Sequence, residues 1–396
     1  MTVPLHGRRV LDLSGEMGSY GARLLAELGA DVVKVEPPGG DRQRSRPPYR
    51  PGVAVPESSL VFAYYNASKR GITLDATRPD ALPLLAALAA HSDAVLVTAS
   101  PQSPVAGLDP VRRQLSWAPN GAVVVCLSPF GLDGPYRGLR ATHFTSYAMS
   151  GLMRRMGPPE GPPLAAPYQH LHDELALQAA VAVLVGLRER PVRGGQFVEL
   201  SLHEFAGAQD DQLDHYAATF TPSGRVAAHV AAPPAGVWSC RDGDVELLVH
   251  NPPHWRGFVR LVGAPAELTD PALEERATRL ARREELSRIV ADRLGAMTVE
   301  EVISGGQALG VPCAAVNTPE RFVDDPQPRE RGYWRTEEHP TLGRLRLPGT
   351  PFRATAPVFV HRGPAPMLGQ HNADIYCGEL GHDPSELDKW RASGLV

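Results

Sequence analysis

The chain has 396 residues, of which 43% are hydrophobic and 21% charged, a composition typical of globular proteins. Its net charge of −4 excludes the overall basic excess that marks most nucleic-acid-binding proteins. The N-terminus does not resemble a signal peptide, and no segment approaches the roughly 20 apolar residues that span a bilayer. We therefore expect a cytoplasmic protein without nucleic-acid or membrane partners. Neither the four cysteines nor the histidines have metal-site spacing, so we also expect no bound metal.

The first 200 residues alternate between strand and helix patterns. A strand at Arg9–Leu13, a turn at Ser14–Ser19, a helix at Tyr20–Leu28 and a strand at Asp31–Glu36 form a β-α-β unit, which implies a parallel sheet. Further strands are predicted at 71–74, 94–97, 122–127 and 197–200, and helices at 79–90, 143–153 and 175–187. This alternation predicts an α/β fold. Because the turn lacks the G-x-G-x-x-G pattern, it does not indicate a dinucleotide site.

The second half begins with a change of composition. Residues 221–235 are rich in Pro, Gly, Ala and Ser, which indicates a crossover into a smaller unit. That unit starts with a β-hairpin at 237–249 and continues with helices at 255–262, 273–294 and 298–305. A final helix is predicted at 375–380. We place a large α/β domain at residues 1–220 and a small α+β domain at 221–335.

Two stretches are rich in ionisable side chains. The loop 37–56 contains four arginines, which are either solvated or available to pair with phosphate. The stretch Tyr168–Glu174 places polar side chains beside a long apolar helix, which makes it the best candidate for a chemical centre. Taken alone, Asp173 fits a helix cap or a charge at a helix start better than a catalytic group. His143 and His172 also fit helix starts.

Short motifs spread over nearly the whole chain occur together in one known family. They are Val10–Ser14, Leu24–Asp41, Asn66–Asp75, Phe130–Tyr136, Ala148–Met153, Gly194–Glu204, Gly310–Pro312 and Ala365–His371. In content and order these motifs resemble the class III CoA-transferases, the CaiB/BaiF family, which also includes 2-methylacyl-CoA racemases.

The resemblance implies a fold, a ligand and an assembly. It implies a large Rossmann-like domain with a parallel sheet, a small α+β domain, a return of residues 336–396 to the large domain, and an interlocked homodimer. The substrates would be an acyl-CoA and a carboxylic acid, with no prosthetic group. On this basis we expect eight residues to contact coenzyme A: Glu16, Lys34, Arg42, Asn66, Lys69, Arg70, Gly131 and Tyr136.

The family's chemistry and the family's alignment disagree about one position. In the transferases an aspartate forms a mixed anhydride with the acyl group and then an aspartyl-CoA thioester, which implies Asp173 as nucleophile. His172 or His143 would adjust its charge or stabilise the oxyanion. An ungapped alignment from Gly161, however, places His172 at the aspartate position and Asp173 one residue late. One residue along a helix turns the side chain by about 100°.

Two other functions stay open. In the family's racemases a histidine and an aspartate exchange the α-proton of a 2-methylacyl-CoA, and His143 and Asp173 have the separation of such a pair. The racemases' Gly-His-Asp context is missing, since this chain has Thr142-His-Phe144. The displaced aspartate is also compatible with a CoA-binding relative that has lost turnover and acts as a partner subunit or binding module.

Overall fold

The chain divides into two compact units. A computed structural model describes residues 3–101, 105–109, 111, 113–119, 121–156, 161–209 and 232–396. One unit comprises Met1–Val226 and Trp334–Val396, and the other comprises Ala227–Tyr333. The domain boundary predicted near residue 221 lies outside the described residues. Within the described ranges, no helix is long and apolar enough to cross a bilayer.

A six-stranded parallel sheet organises the larger unit and confirms the predicted α/β fold. In chain order the strands are β1 (Arg9–Leu13), β2 (Asp31–Glu36), β3 (Arg70–Thr73), β4 (Ala94–Thr98), β5 (Leu108–Asp109), β6 (Gln114–Leu115), β7 (Val123–Ser128) and β8 (Phe197–Ser201). The short β5 and β6 pair separately, and the main sheet has the order β3-β2-β1-β4-β7-β8 with all neighbours parallel. This is the doubly wound Rossmann order. Ligands in such sheets bind at the carboxyl ends of the strands where the order reverses, here between β1 and β4.

Both faces of this sheet are buried, which explains the continuous apolar runs in its strands. In the N-terminal part the helices are α1 (Gly15–Glu27), α2 (Leu60–Tyr65), α3 (Leu82–Ala90), α4 (His143–Met149), α5 (His170–Arg193) and α6 (Leu202–Ala208). Val10 and Leu96 face a core shared with α1 and α5, whereas Leu11 and Val95 face a core shared with α3. The alternation follows from the two-residue period of a strand.

Two helices begin earlier than the sequence predicts. The segment predicted as a turn at Ser14–Ser19 is mostly the first turn of α1, where Gly18, like Gly21 in the next turn, serves packing. A Cβ on Gly18 would lie 2.9 Å from Leu127 Cδ1, and one on Gly21 only 2.0 Å from the backbone oxygen of Ala176 in α5. The polar stretch around His172 likewise does not precede α5 but forms its first turn.

The smaller unit pairs a three-stranded antiparallel sheet with short helices. Its elements are β9 (Gly236–Cys240), β10 (Gly243–Leu247), α7 (Pro252–Leu261), α8 (Arg276–Ala281), α9 (Arg283–Gly295), α10 (Val299–Ala308), β11 (Cys313–Ala315), α11 (Pro319–Asp324) and α12 (Pro326–Glu330). The single helix predicted at 273–294 is wrong, since α8 and α9 are separate there. The buried Arg279 donates hydrogen bonds to the backbone oxygens of Leu273 and Glu274. In a continuous helix, backbone amide groups would pair with these carbonyl oxygens instead.

The C-terminal segment returns to the large unit. It forms the hairpin β12 (Trp334–His339) and β13 (Gly343–Pro348), a π-helical segment Ala373–Glu379, and α13 (Pro384–Ala392). The prediction ended at residue 380 and missed α13, although Asp383 and Glu386 form a capping box that marks its start. Tyr376 donates a hydrogen bond to the backbone oxygen of Thr73, which ties this segment to β3.

Buried ion pairs hold β1 and β2 to the loops beside them. Lys69 Nζ lies 2.9 Å from Asp12 Oδ2 and Lys34 Nζ lies 2.7 Å from Asp41 Oδ2, with all four side chains almost excluded from solvent. Burial alone would raise the pKa of Asp12, but Lys69, Lys34 and the Ser14 hydroxyl lower it to about 2. Asp12 is therefore ionised, and its buried negative charge is stabilised by its cationic partners.

Replacement of Lys69 by Met should leave the Asp12 carboxylate buried without its nearest cation. We expect a loss of about 3–5 kcal/mol in the free energy of unfolding, measured by urea denaturation at neutral pH. Arg78→Met is the control, because the Arg78–Asp80 pair lies at the surface, and it should change little. Equal losses in the two variants would show that Lys69 does not hold a buried charge.

Candidate active site

A cleft opens where the strand order reverses, at the carboxyl edge of the sheet. Its walls follow the ends of five strands: Leu13–Met17 at β1, Val35 and Pro37 at β2, Thr98 and Ser100 at β4, Pro129 at β7, and Leu202 at β8. Its volume of about 250 Å³ is below the roughly 300–1,000 Å³ typical of pockets that enclose a drug-sized ligand. The cleft therefore has room for the reacting end of a large ligand rather than for all of it.

The start of α1 gives one wall of the cleft an electropositive character. The Ser14 hydroxyl donates to Asp12 Oδ1 at 2.6 Å, and within the described structure no side chain caps this helix. Amide groups at an uncapped helix start carry partial positive charge and bind anions. The Gly15–Met17 turn is thus a suitable place for a carboxylate or a developing oxyanion.

Two neutral histidines form another part of the wall. His172 and His143 both line the cleft, and their rings meet edge to face with centroids 5.5 Å apart. Burial, then His143 and Arg46, lower the pKa of His172 to about 3, and burial also lowers the pKa of His143. Neither His172 Nδ1 nor the ring nitrogens of His143 have a hydrogen-bond partner in the described part of the chain. Both imidazoles are uncharged at neutral pH, and these ring nitrogens are buried.

Asp173 points elsewhere. It is absent from the cleft lining, and its Oδ2 accepts a hydrogen bond of 2.8 Å from the Tyr65 hydroxyl. Tyr65 stands in an aromatic cluster with Tyr64 and Tyr20. Burial raises the pKa of Asp173 to about 6, although the Tyr65 hydrogen bond opposes the shift. Of the neighbours His172 and Asp173 in the first turn of α5, it is therefore His172 that lines the cleft.

Two carboxylates, of Glu16 and Asp41, and two arginines supply the charge at the cleft. Glu16, Arg42 and Arg46 all line it. Arg46 Nε lies 2.7 Å from Glu16 Oε1, and Arg46 Nη2 donates a hydrogen bond of 3.5 Å to Glu16 Oε2. When the amide oxygen of Gln169 is turned toward Arg46, it accepts hydrogen bonds from Arg46 Nη1 at 2.5 Å and from Nη2 at 2.8 Å. Arg46 thus connects the starts of α1 and α5.

The eight predicted CoA contacts separate into three groups. Glu16 and Arg42 line the cleft, whereas Lys34, Lys69 and Asn66 do not. Lys34 binds Asp41, and Lys69 Nζ donates to Asn66 Oδ1 as well as to Asp12. These three side chains are almost fully buried and bind groups of the protein itself, and their contact with CoA stays a prediction.

The other three expected contacts lie away from the cleft lining. Arg70 pairs with Asp31 and Glu379 at the amino edge of the sheet, the opposite edge from the cleft. Gly131 and Tyr136 belong to the loop after β7, where Tyr136 is 45% exposed and contacts the rings of Phe130 and His203. Their contact with CoA stays a prediction.

Sequence reasoning missed Tyr65 as a partner of the candidate site. Its hydroxyl reaches Asp173 across 108 residues of sequence, and no local pattern marks such a pair. Arg46 belongs to the arginine-rich loop 37–56, but its position in the sequence does not distinguish it from the other arginines of that loop. Among the described residues, no group of three or more His, Cys, Asp or Glu side chains could hold a metal ion.

The family model described as CoA-transferase family III matches residues 5–372. This chain belongs to CoA-transferase family III. The match confirms the resemblance based on the motifs, and the cleft lies at the edge of a CoA-transferase family III fold.

Named relatives support the same conclusion. The chain is 33% identical over 374 residues to a probable CoA-transferase, Rv1866 of Mycobacterium tuberculosis; the match covers 91% of this chain and 46% of that protein, so the chain spans about half of that relative's length. It is 28% identical to the formyl-CoA:oxalate CoA-transferase of Streptomyces avermitilis over the whole of both chains. It is 27% identical to the succinyl-CoA:(R)-benzylsuccinate CoA-transferase subunit BbsE of Thauera aromatica, covering 98% of this chain and 97% of that subunit.

A solved structure supports the fold of this CoA-transferase family III member. The crystal structure of a CaiB/BaiF family protein from Brucella suis matches with a TM-score of 0.80. The match covers 96% of this chain and all of that chain at 23% identity, which establishes similarity of fold.

Asp173 should destabilise the fold as it ionises. Because its pKa rises from 3.8 to about 6 on folding, the unfolded chain releases the proton first, and stability falls as pH rises through this window. Asp173→Asn removes this pH-dependent loss of stability. The free energy of unfolding of the variant minus that of the wild type should therefore increase by about 2–3 kcal/mol from pH 3.5 to pH 7. Urea denaturation across pH measures this. Glu174→Gln, on the more exposed neighbour, should show no comparable trend; a flat difference for Asp173→Asn would contradict the assignment.

Proposed function

We propose that this chain transfers CoA from an acyl-CoA to a carboxylic acid, with the reacting thioester in the cleft at the carboxyl edge of the sheet. The observation that carries the proposal is the composition of that cleft in a member of CoA-transferase family III. An uncapped helix start, two arginines and two neutral histidines meet there, and the carboxylates of Glu16 and Asp41 in the same lining are each paired with a cation. Such a lining attracts a carboxylate and stabilises negative charge as it develops on a thioester oxygen.

The acid is proposed to be a short dicarboxylic acid. Oxalate and benzylsuccinate, named in two relatives, each carry two carboxylates. Arg42 and Arg46 offer two cations at this cleft, and guanidinium groups pair well with carboxylates. One carboxylate would be held by an arginine while the other reacts.

The covalent course requires a carboxylate carrier. The acyl group must be held as an anhydride while CoA is exchanged. A side-chain carboxylate can carry both the acyl group and CoA. The family resemblance assigns this role to Asp173. Its hydrogen bond to Tyr65 and its absence from the cleft lining weigh against that assignment. The same absence weakens the racemase alternative, which needs His143 and Asp173 on one site.

A second candidate function is that of a CoA-binding partner subunit without turnover of its own. Two observations favour it. His172, not an aspartate, faces the cleft at the first turn of α5. In addition, one relative is named as a subunit of a transferase.

The transfer reaction can be tested directly. The purified chain is incubated with succinyl-CoA or formyl-CoA and with oxalate or glutarate, and new CoA thioesters are measured by liquid chromatography and mass spectrometry. We expect a new thioester from at least one pair, and a higher KM for acetate, which lacks the second carboxylate. CoA binding without any new thioester would exclude the first function and leave the second.

The His172→Asp variant separates the two functions further. If the chain is a subunit without turnover, this variant places a carboxylate in the cleft and should gain transfer activity. If the wild type already catalyses transfer, the variant should not exceed it.

The interlocked homodimer implied by the resemblance is also a proposal. It is supported by an exposed apolar stripe on α5, formed by Leu177, Val181 and Val185 with exposures of 40%, 51% and 54%. Residues four apart on a helix lie on one face, and such a stripe is typical of an interface.

Charge placed on this stripe should weaken the assembly. Val181→Asp should shift the mass measured by light scattering from that of a dimer toward that of a monomer. Val55→Asp changes a valine of similar exposure (54%) outside α5 and serves as the control. A wild type that is monomeric at all concentrations would refute the proposed dimer.

A further inference from the structure

We propose that the smaller unit binds an apolar monocarboxylate, an acid with a single carboxylate on an alkyl or aromatic body, in a groove beside α7. This α7 groove lies between one face of α7 and residues 268–274. The inference goes beyond the proposed CoA transfer and does not rest on it, because the α7 groove and the cleft have no lining residue in common.

The α7 groove has the size of a small-molecule site. Its volume of about 520 Å³ falls within the roughly 300–1,000 Å³ of pockets that hold a drug-sized ligand, whereas the cleft has about 250 Å³. Among the described residues, all those that line the groove belong to the unit Ala227–Tyr333. The body of a ligand larger than the one proposed for the cleft can therefore be accommodated on the smaller unit.

The floor of the α7 groove is apolar and held in place by the core. Trp255 and Val259 lie four residues apart on one face of α7, and Leu268 and Pro271 line the other side. Trp255 and Leu268 are 2% and 0% exposed and belong to the core of this unit. The guanidinium of the buried Arg279 lies 5.1 Å from the centre of the Trp255 ring. An alkyl chain or aromatic ring would bury apolar surface against this floor without ordering mobile side chains.

Three of the four charged side chains at the α7 groove are paired within the protein. Arg256 Nη1 donates a hydrogen bond of 2.9 Å to Glu274 Oε2. Asp270 Oδ1 accepts the backbone amide of Ala272 at 2.9 Å, and Asp270 Oδ2 lies 3.4 Å from Arg282 Nη1. These three groups therefore do not require a charged ligand.

Arg260 is the fourth charged side chain, and it differs from the others. It is exposed in the last turn of α7, and within the described part of the chain its guanidinium has no ion pair and no hydrogen bond. A guanidinium group pairs with a carboxylate through two parallel hydrogen bonds. One unpaired cation beside an apolar floor matches a ligand with one anionic group and an apolar body.

The other charges at the α7 groove favour a carboxylate over a phosphate. Arg256 and Arg260 bring two positive charges, and Asp270 and Glu274 bring two negative ones. A monoanion paired with Arg260 meets balanced surroundings, whereas a phosphate monoester carries a charge of about −1.5 to −2 and is repelled by both acidic side chains. Because no His, Cys or Ser is among the described residues of the lining, the groove is suited to binding rather than to nucleophilic or acid–base chemistry.

Calorimetric titration of the whole chain with octanoate tests the site. Three related compounds separate the two parts of the recognition: octanamide has the same chain without the charge, butyrate has the charge on a shorter chain, and octyl phosphate has a larger charge. We expect octanoate to bind about tenfold or more tightly than each of the three.

Variants of the arginine locate the bound carboxylate. Arg260→Met should weaken the binding of octanoate about tenfold or more, and Arg260→Lys should retain part of the affinity because it keeps the charge. Arg293→Met is the matched control, since Arg293 is also an exposed arginine in the last turn of a helix of this unit but does not line the groove. It should bind octanoate as the wild type does.

A variant that fills the α7 groove tests the site of the apolar body. Thr269 is exposed and lines the groove, so Thr269→Phe places a ring in its volume and should weaken the binding of octanoate and octanamide alike. Thermal melting of each variant establishes that it is folded.

The outcomes are distinct. Weaker binding of octanoate by Arg260→Met and by Thr269→Phe, with wild-type binding by Arg293→Met, supports the inference. A wild type that gives no heat of binding with octanoate, equal affinities in Arg260→Met and Arg293→Met, or octyl phosphate that binds as tightly as octanoate would overturn it. The titrations contain no CoA, so their failure would leave the proposed transfer function untouched.

Discussion

The close contact between α1 and α5 is the constraint on which the site depends. Gly21 lets α1 approach so near that a Cβ there would lie 2.0 Å from the backbone oxygen of Ala176. On its other side, α5 presents Gly186 to β7, where a Cβ would lie 2.5 Å from Val123 Cγ1. These two contacts leave α5 little freedom to shift or rotate. The starts of both helices therefore reach the carboxyl edge of the sheet together.

The charges near this edge have two separate roles. Lys34, Lys69 and Asp12 are buried in ion pairs, where loss of one partner leaves an uncompensated charge. Arg46 and Glu16 keep a solvent-accessible pair at the cleft. The buried pairs hold the strand ends and the loop after β2, whereas Arg46 and Glu16 line the cleft. That division explains why only some of the basic residues near the site suit ligand binding.

The strands of the large unit could be predicted because both sheet faces are buried, which leaves continuous apolar runs in the sequence. Helix boundaries were less predictable. The segment Ser14–Ser19 suggested a turn because it contains Gly15 and Gly18, whereas the need for a small residue at Gly18 against Leu127 is a tertiary effect. The sequence did not show that Lys69 and Arg70 pair with carboxylates of the protein, because a basic side chain has the same appearance in the sequence whether it binds phosphate or a carboxylate.

The sequence by itself determined the family, the α/β class and the neighbourhood of the site, because motifs and apolar periodicity are local properties. Tertiary structure decided which side chains enter the cleft. Neighbouring residues on a helix point about 100° apart, and the rotation of α5 is set by its packing against Gly21 and Val123. That rotation directs His172 into the cleft and Asp173 toward Tyr65, while the start of α1 brings Glu16 to the same cleft.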